Sequence, residues 1–254
     1  MLNISFYGMR TIVFMKLKIF FKEFQYSIIS PIISSFLFIM VIITINSFYK
    51  FNKNEDYLHF VIPGIIMMVI IQETYSNISE TLIRMKQDGS FNDILISPIS
   101  RLEISISFII ATVIIGFLVC FINLIFLNFF VNIYFDNFYR LCFYLLSISL
   151  IIGSIGSIIG FISYTWDTQQ SFFSFFIAPI SLFSGTFFSI NYIDDELKNI
   201  FLFNPFYYIV TNFRESFLGN GSYNFNTDIL IILLSFIFIY INLFIYKKGY
   251  KVIH

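Results

Sequence analysis

Six stretches of about 20 apolar residues, near 26–48, 60–81, 104–133, 141–164, 171–190 and 228–246, leave this chain of 254 residues few ways to fold. A helix needs roughly 20 such residues to cross the hydrocarbon core of a bilayer, which is about 30 Å thick. Only 12% of the residues are charged, while 58% are hydrophobic; a soluble domain carries about 25% charged residues. A water-facing surface cannot be assembled from so few polar groups, so the outside must face lipid. Mean hydropathy of +0.84 agrees. The sequence thus predicts an all-α membrane protein with six transmembrane helices. It forms one domain over residues 1–254, with an interfacial amphipathic helix in 1–25 and a six-span bundle in 26–248.

Six crossings place both termini on one side, and basic residues concentrate on the cytoplasmic side of membrane proteins. With cytoplasmic termini, the inner loops and tails hold Arg10, Lys16, Lys18, Lys22, Arg84, Lys86, Arg101, Lys247, Lys248 and Lys251, and the outer ones only Lys50, Lys53, Arg140, Lys198 and Arg214. The expected placement is a multi-pass protein of the cell (inner) membrane with both termini cytoplasmic. No short apolar core leading to a small-residue cleavage site occurs in the first 25 residues, so no cleaved signal peptide is expected.

Three segments outside the spans have helical patterning. In the N-terminal tail, Val13, Phe14, Leu17, Phe20, Phe21 and Phe24 form one stripe, with Lys16, Lys18, Lys22 and Glu23 largely opposite. Such a basic amphipathic helix lies flat on a leaflet, as an anchor alone or as an anchor that also offers a surface to a partner. After the second span, Leu82, Ile83 and Met85 continue the helix out of the membrane. Asp88, Gly89 and Ser90 read as a stop followed by a new start, Phe91, Ile94 and Leu95 form a short apolar stripe, and Pro98 ends it. This predicts a short helix across the cytoplasmic end of the bundle. Before the last span, Asp194, Asp195 and Glu196 suit a helix start. Asn204 and Pro205 break the chain, and Phe206, Ile209, Val210, Phe213 and Phe217 then mark one face up to Gly219. The second piece is too short to cross, and is either interfacial or re-entrant.

Chemistry-bearing motifs are few. The sequence contains no G-x-x-x-x-G-K-[ST] phosphate loop, no Gly-rich dinucleotide turn and no H-E-x-x-H. Cys120 and Cys142 sit in apolar runs and read as inert thiols; His59 and His254 are isolated, and no metal spacing exists. No catalytic residues, metal or bound cofactor are expected, and net charge is zero, with no nucleic-acid partner expected. The conspicuous feature is Glu73, near the middle of the second span. It shares a helix face with Asn77 and Glu80, and Arg84 extends that face. Ionisable groups inside a membrane usually face a bundle interior or a watery cavity. Two readings are open, a polar wall of a transport path and inter-helix hydrogen bonding that only holds the bundle. In the fourth span, Gly153, Gly156 and Gly160 with Ser149 and Ser157 form a small-residue face, which suits close packing within one subunit better than a dimer seam.

Taken together, the chain resembles the membrane-spanning subunits of type-2 ATP-binding-cassette exporters. The likeness covers nearly the whole chain: a basic amphipathic tail, six spans, a cytoplasmic helix after span two and a broken outer helix before span six. It is most specific at Gly89–Pro98, at Phe183–Ser189, at Phe203–Tyr208 and at Phe213–Gly219; the runs Pro63-Gly64-Ile-Ile-Met-Met and Tyr75-Ser-Asn-Ile are similar too. Glu73 departs from the family, where an uncharged polar residue is usual.

The resemblance implies an export permease that pairs as a homodimer and binds a separate ATPase chain, which handles ATP and magnesium. It implies that Gly89, Ser90, Phe91, Asn92, Asp93, Ile94, Leu95 and Pro98 form the ATPase-coupling helix, and that Lys16, Lys18, Lys22 and Glu23 help to seat the ATPase. Asn204, Pro205, Phe206, Phe213 and Arg214 would belong to outer gate helices, and Glu73, Asn77 and Glu80 to the path or the bundle's polar face. Cargo in the family includes polysaccharides, lipid-linked glycans and hydrophobic drugs. The competing expectations are a self-sufficient secondary transporter or channel and, less well supported, a membrane-embedded enzyme acting on a lipid-linked substrate.

Overall fold

A computed structural model describes residues 6–49, 55–131, 133–187, 195–219 and 225–249. Lys50, Lys53, Asp194, Lys251 and His254 lie outside them. Every regular element among the described residues is helical. The N-terminal helix α1 (Phe6–Lys22) passes through a π-helical turn, Gln25–Ile29, into α2 (Ser30–Tyr49). Next come α3 (Glu55–Gln87), the short α4 (Ser90–Ile96), α5 (Arg101–Asn128) and α6 (Phe138–Ile162). Then follow α7 (Trp166–Phe172), a second π turn (Phe173–Ile177), α8 (Ala178–Leu182), α9 (Asp195–Phe203), α10 (Pro205–Leu218) and α11 (Phe225–Lys248).

Five helical stretches are long and apolar enough to cross a membrane: Gln25–Thr44, Tyr57–Gln87, Arg101–Asn128, Phe138–Ile162 and Phe225–Lys248. They correspond to spans one, two, three, four and six of the sequence reading. The segment expected as span five differs. It starts at Trp166, and its pieces of 7, 5 and 5 residues give about 25 Å of helix at 1.5 Å per residue, less than a full hydrocarbon core. A turn follows in which Gly185 takes φ 76°, a left-handed conformation that ends the helix. The last part of the expected span, 188–190, lies outside the described residues.

The bundle is organised about α3 and α6. In each, 67% of the most apolar window is buried, against 28% and 22% for the windows in α2 and α11, which are therefore peripheral. The α3–α6 seam is close because glycine lines it. A Cβ on Gly156 would stand 2.9 Å from the Tyr75 carbonyl, and one on Gly160 2.8 Å from Ser79 Cα. The small-residue face of α6 is thus used inside the subunit, against α3, while Gly153 admits Thr112 of α5. Polar pairs pin the helices where packing is tight. Ser35 of α2 donates to Asn123 Oδ1 of α5 at 2.8 Å, and Asn242 of α11 donates to the Ser154 carbonyl of α6 at 2.9 Å. Gln169 ties α7 to α3, giving its amide to Ser79 Oγ at 3.1 Å and accepting from the Tyr75 hydroxyl on its carbonyl at 3.2 Å.

Candidate functional site

At the end of α3, Gly89 adopts φ 76° and turns the chain sharply into α4. Phe91 is buried there, edge-on to Phe161 with ring centroids 6.2 Å apart, in a cluster that includes Ile12 of α1, Leu82 of α3 and Tyr246 of α11. Ile94 and Leu95 pack partly against it. The other side of α4 is open: Asn92 and Asp93 are exposed, Pro98 lies bare beyond the helix, and Ile96 is 83% exposed. The expected apolar stripe therefore anchors α4 to the ends of several long helices and leaves a mixed polar and apolar surface facing away from them.

The face of α3 bearing Glu73, Asn77, Glu80 and Arg84 turns toward α1 and the π turn after it, and a cavity of about 410 Å³ lies between them. From Glu73 to Arg84 this groove follows α3 for roughly 16 Å. Arg84 pairs with Glu23 across it; both side chains are partly exposed, and such a pair contributes about 1 kcal/mol at most. Lys16 is 1% exposed, not on the outer polar face where the periodicity put it. Its Nζ donates to the Asn77 carbonyl at 2.6 Å and to Thr81 Oγ1. Burial pushes the Lys16 ammonium down to about 7, against the pull of the Glu23 and Glu80 carboxylates.

The correction at Lys16 has a physical reason. The face of α1 that meets the protein is Ile12, Lys16 and Phe20, spaced at i, i+4 and i+8. The apolar stem of a lysine suits that face, and two acceptors on α3 take its head. Phe14, Phe21 and Phe24 of the expected stripe are exposed, as an interfacial helix requires of the residues it sinks into the leaflet. Of the four residues expected to seat a partner, Lys18 and Lys22 are exposed, Glu23 is engaged by Arg84 and Lys16 is inaccessible.

Lys86 performs a role the sequence did not suggest. It reaches the C-terminal end of α6 and donates to the carbonyls of Gly160 and Ser163, both at 3.0 Å, and of Phe161. A cation there satisfies carbonyls that lack intrahelical partners and complements the helix dipole. Its partners lie 74 to 77 residues away, and no local spacing announces them. Lys86→Met keeps the stem but removes every donor. It is expected to cost on the order of 1–2 kcal/mol, read as a lower thermal midpoint in detergent. An unchanged midpoint would remove Lys86 as a cap.

At the opposite end, Asn204 caps α10, accepting from the Phe206 N–H at 3.0 Å, and Pro205 occupies the first turn. Phe206, Ile209, Val210, Phe213 and Phe217 are all buried, against α3 and α6 among others, so the apolar face of α10 is spent on the bundle. Arg214 is 4% exposed. Its Nε donates to the Phe60 carbonyl at 2.8 Å, its Nη2 to the carbonyls of Gly185 at 2.6 Å and Thr186 at 3.1 Å, and its guanidinium stacks 3.8 Å from the Phe60 ring centroid. Gly64 makes room for this junction: a Cβ there would fall 2.4 Å from the Thr186 carbonyl. Arg214 is thus an internal clamp and not a free loop charge of the kind that sets topology.

Comparison with known proteins agrees with this architecture. The model of the family described as ABC-2 type transporter matches residues 7–218. The inner membrane transport permease YadH of Escherichia coli strain K12 is 21% identical over 220 residues, covering 86% of each chain, and the YadH of Shigella flexneri matches to the same extent. With several apolar helices long enough to cross a bilayer and a family match over most of its length, the chain belongs to the ABC-2 type transporter family and is a multi-pass transport permease, the membrane subunit of a transporter.

Proposed function

We propose that the chain is the permease of an ATP-driven exporter, resident in the inner membrane with both termini cytoplasmic. In this reading the segment from Trp166 to Phe187 belongs to a sixth crossing. Two copies pair, and each binds a separate ATPase chain that holds ATP and magnesium. The observation that carries the reading is α4. Phe91 locks it to the ends of the long helices while Asn92, Asp93 and Ile96 face outward, which is the arrangement a partner needs to push on the bundle. Lys18 and Lys22 are exposed on α1, whose Met15 and Ile19 border the same pocket as Asp93 and Ile94 of α4. Polysaccharides, lipid-linked glycans and hydrophobic drugs are the cargo classes that fit the family.

The test is co-purification of the ATPase from native membranes in mild detergent. The double variant Asn92→Ala with Asp93→Ala is expected to insert normally and to weaken ATPase docking about tenfold, equivalent to about 1.4 kcal/mol. Undiminished docking would remove α4 from the interface. Recovery of the chain alone, with transport intact after reconstitution, would establish a self-sufficient secondary transporter.

A further inference from the structure

The groove between α1 and α3 has an uneven inventory of hydrogen-bonding groups. Each of its cations has a partner: Arg84 gives one N–H to Glu23, and Lys16 is held by Thr81 and the Asn77 carbonyl. Two of its carboxyls do not. Asn77 Oδ1 is buried without a partner. Among the described residues, Glu73 makes no hydrogen bond or ion pair, and Glu80 has Lys16 and Arg84 nearby without reaching ion-pair distance to either. Asn77 Oδ1 is closed off from the groove, whereas the Glu73 and Glu80 carboxyls line it and are open to a donor that enters.

We propose that this groove binds an organic ammonium group, and that the cargo which it admits to the export path is an amphipathic amine; the second half rests on the export reading above. An ammonium brings positive charge and several N–H donors to two carboxyls that no side chain engages. A free anion would meet the Glu73 and Glu80 carboxyls, with Lys16 held by α3 and Arg84 paired with Glu23. A single metal ion would not suit the two carboxyls either. Glu73 and Glu80 are seven residues apart, about 10 Å along the helix axis, whereas a metal draws its oxygen ligands to within about 2.6 Å. The two instead form successive stations for a cation, one deep in α3 and one nearer α4. Phe20 and Ile19 supply an apolar wall for the rest of the molecule, and Tyr26 stands at the rim. The volume of about 410 Å³ lies within the roughly 300–1,000 Å³ of sites that hold drug-sized molecules.

The ammonium could belong to soluble cargo or to an aminophospholipid headgroup, and one experiment separates them. The full chain, purified in detergent, is titrated against dansylcadaverine, a fluorescent primary ammonium, with fluorescence anisotropy as the readout, and against anionic fluorescein. Saturable binding of the cation alone is expected. Glu73→Gln, nearly isosteric, should weaken it about tenfold, and Glu80→Gln should weaken it less, with thermal midpoints confirming that both variants fold. Equal affinity in the parent and both variants, or equal binding of fluorescein, overturns the site. Displacement of the dye by phosphatidylethanolamine but not by phosphatidylglycerol keeps the ammonium site and overturns its assignment to cargo. Dye binding in a chain that shows no ATPase-dependent export when reconstituted with its partner would overturn the export reading and leave the site standing.

Discussion

Arg214→Ala is expected to lower stability by on the order of 3–5 kcal/mol, because hydrogen bonds to a charged donor contribute about 1.5–3 kcal/mol each and their carbonyl partners would be left buried and unpaired. Three carbonyls, of Phe60, Gly185 and Thr186, lose their donor together, and the Phe60 ring loses its cation. Pro63 aggravates the loss. A proline inside a helix removes one rung of the hydrogen-bond ladder, here the one to the His59 carbonyl, and Arg214 attaches to α3 at the next carbonyl, that of Phe60. In a chain of this size the change corresponds to a thermal midpoint lower by roughly 10 °C, measured by fluorescence-detected size exclusion after heating. Arg214→Lys should recover only part of the loss, since one ammonium cannot reproduce the fork of a guanidinium. A midpoint for Arg214→Ala that matches the parent would show that the clamp does not hold that end of the bundle.

Gly160→Leu should be nearly as damaging, by the opposite route. Its Cβ would meet Ser79 Cα at 2.8 Å and the Ser79 carbonyl at 3.0 Å, which are backbone atoms that cannot rotate aside, with Leu82 Cδ1 also at 3.0 Å. The helices must separate, and every contact along the seam loosens with them. Overpacking of a tight core costs about 1–3 kcal/mol, and occasionally more; a leucine against backbone belongs at the upper end. A lower thermal midpoint with a normal amount of chain in the membrane is the expected signature. If the midpoint held and a dimer dissociated instead, the glycine face of α6 would be a seam between copies and not within one.

The periodic features were legible in the sequence. Five of the apolar runs became long helices, the face of Glu73, Asn77, Glu80 and Arg84 survived intact, and Asn204–Pro205 broke the outer segment where expected. Such features depend on spacing within one helix, which the chain itself displays. What stayed hidden depends on contacts between distant residues. Lys16 reads as surface charge until Thr81 and Asn77 come beside it, 65 and 61 residues on. Arg214 reads as an outer loop charge until Phe60 arrives from 154 residues away. Periodicity in α1 likewise finds apolar positions without saying which of two adjacent stripes meets protein and which meets lipid, since both solvents accept Phe and Ile. The shortened fifth segment escaped because a π turn and a helix stop at Gly185 do not interrupt its apolar composition.

One mechanical consequence follows from the length of α3. Its 33 residues form a single rod, about 50 Å long, fastened at one end by Arg214 and joined through Gly89 to α4 at the other. The glycine-lined seam with α6 lies between these points, where a rocking rod would pivot. A tilt of about 5° around the rod's midpoint would carry each tip roughly 2 Å in opposite directions, given a half-length of about 25 Å. Under the export reading proposed above, force delivered to the α4 surface would be returned at the other tip with its sense reversed, so that pressing inward on one end and releasing the other would become a single movement.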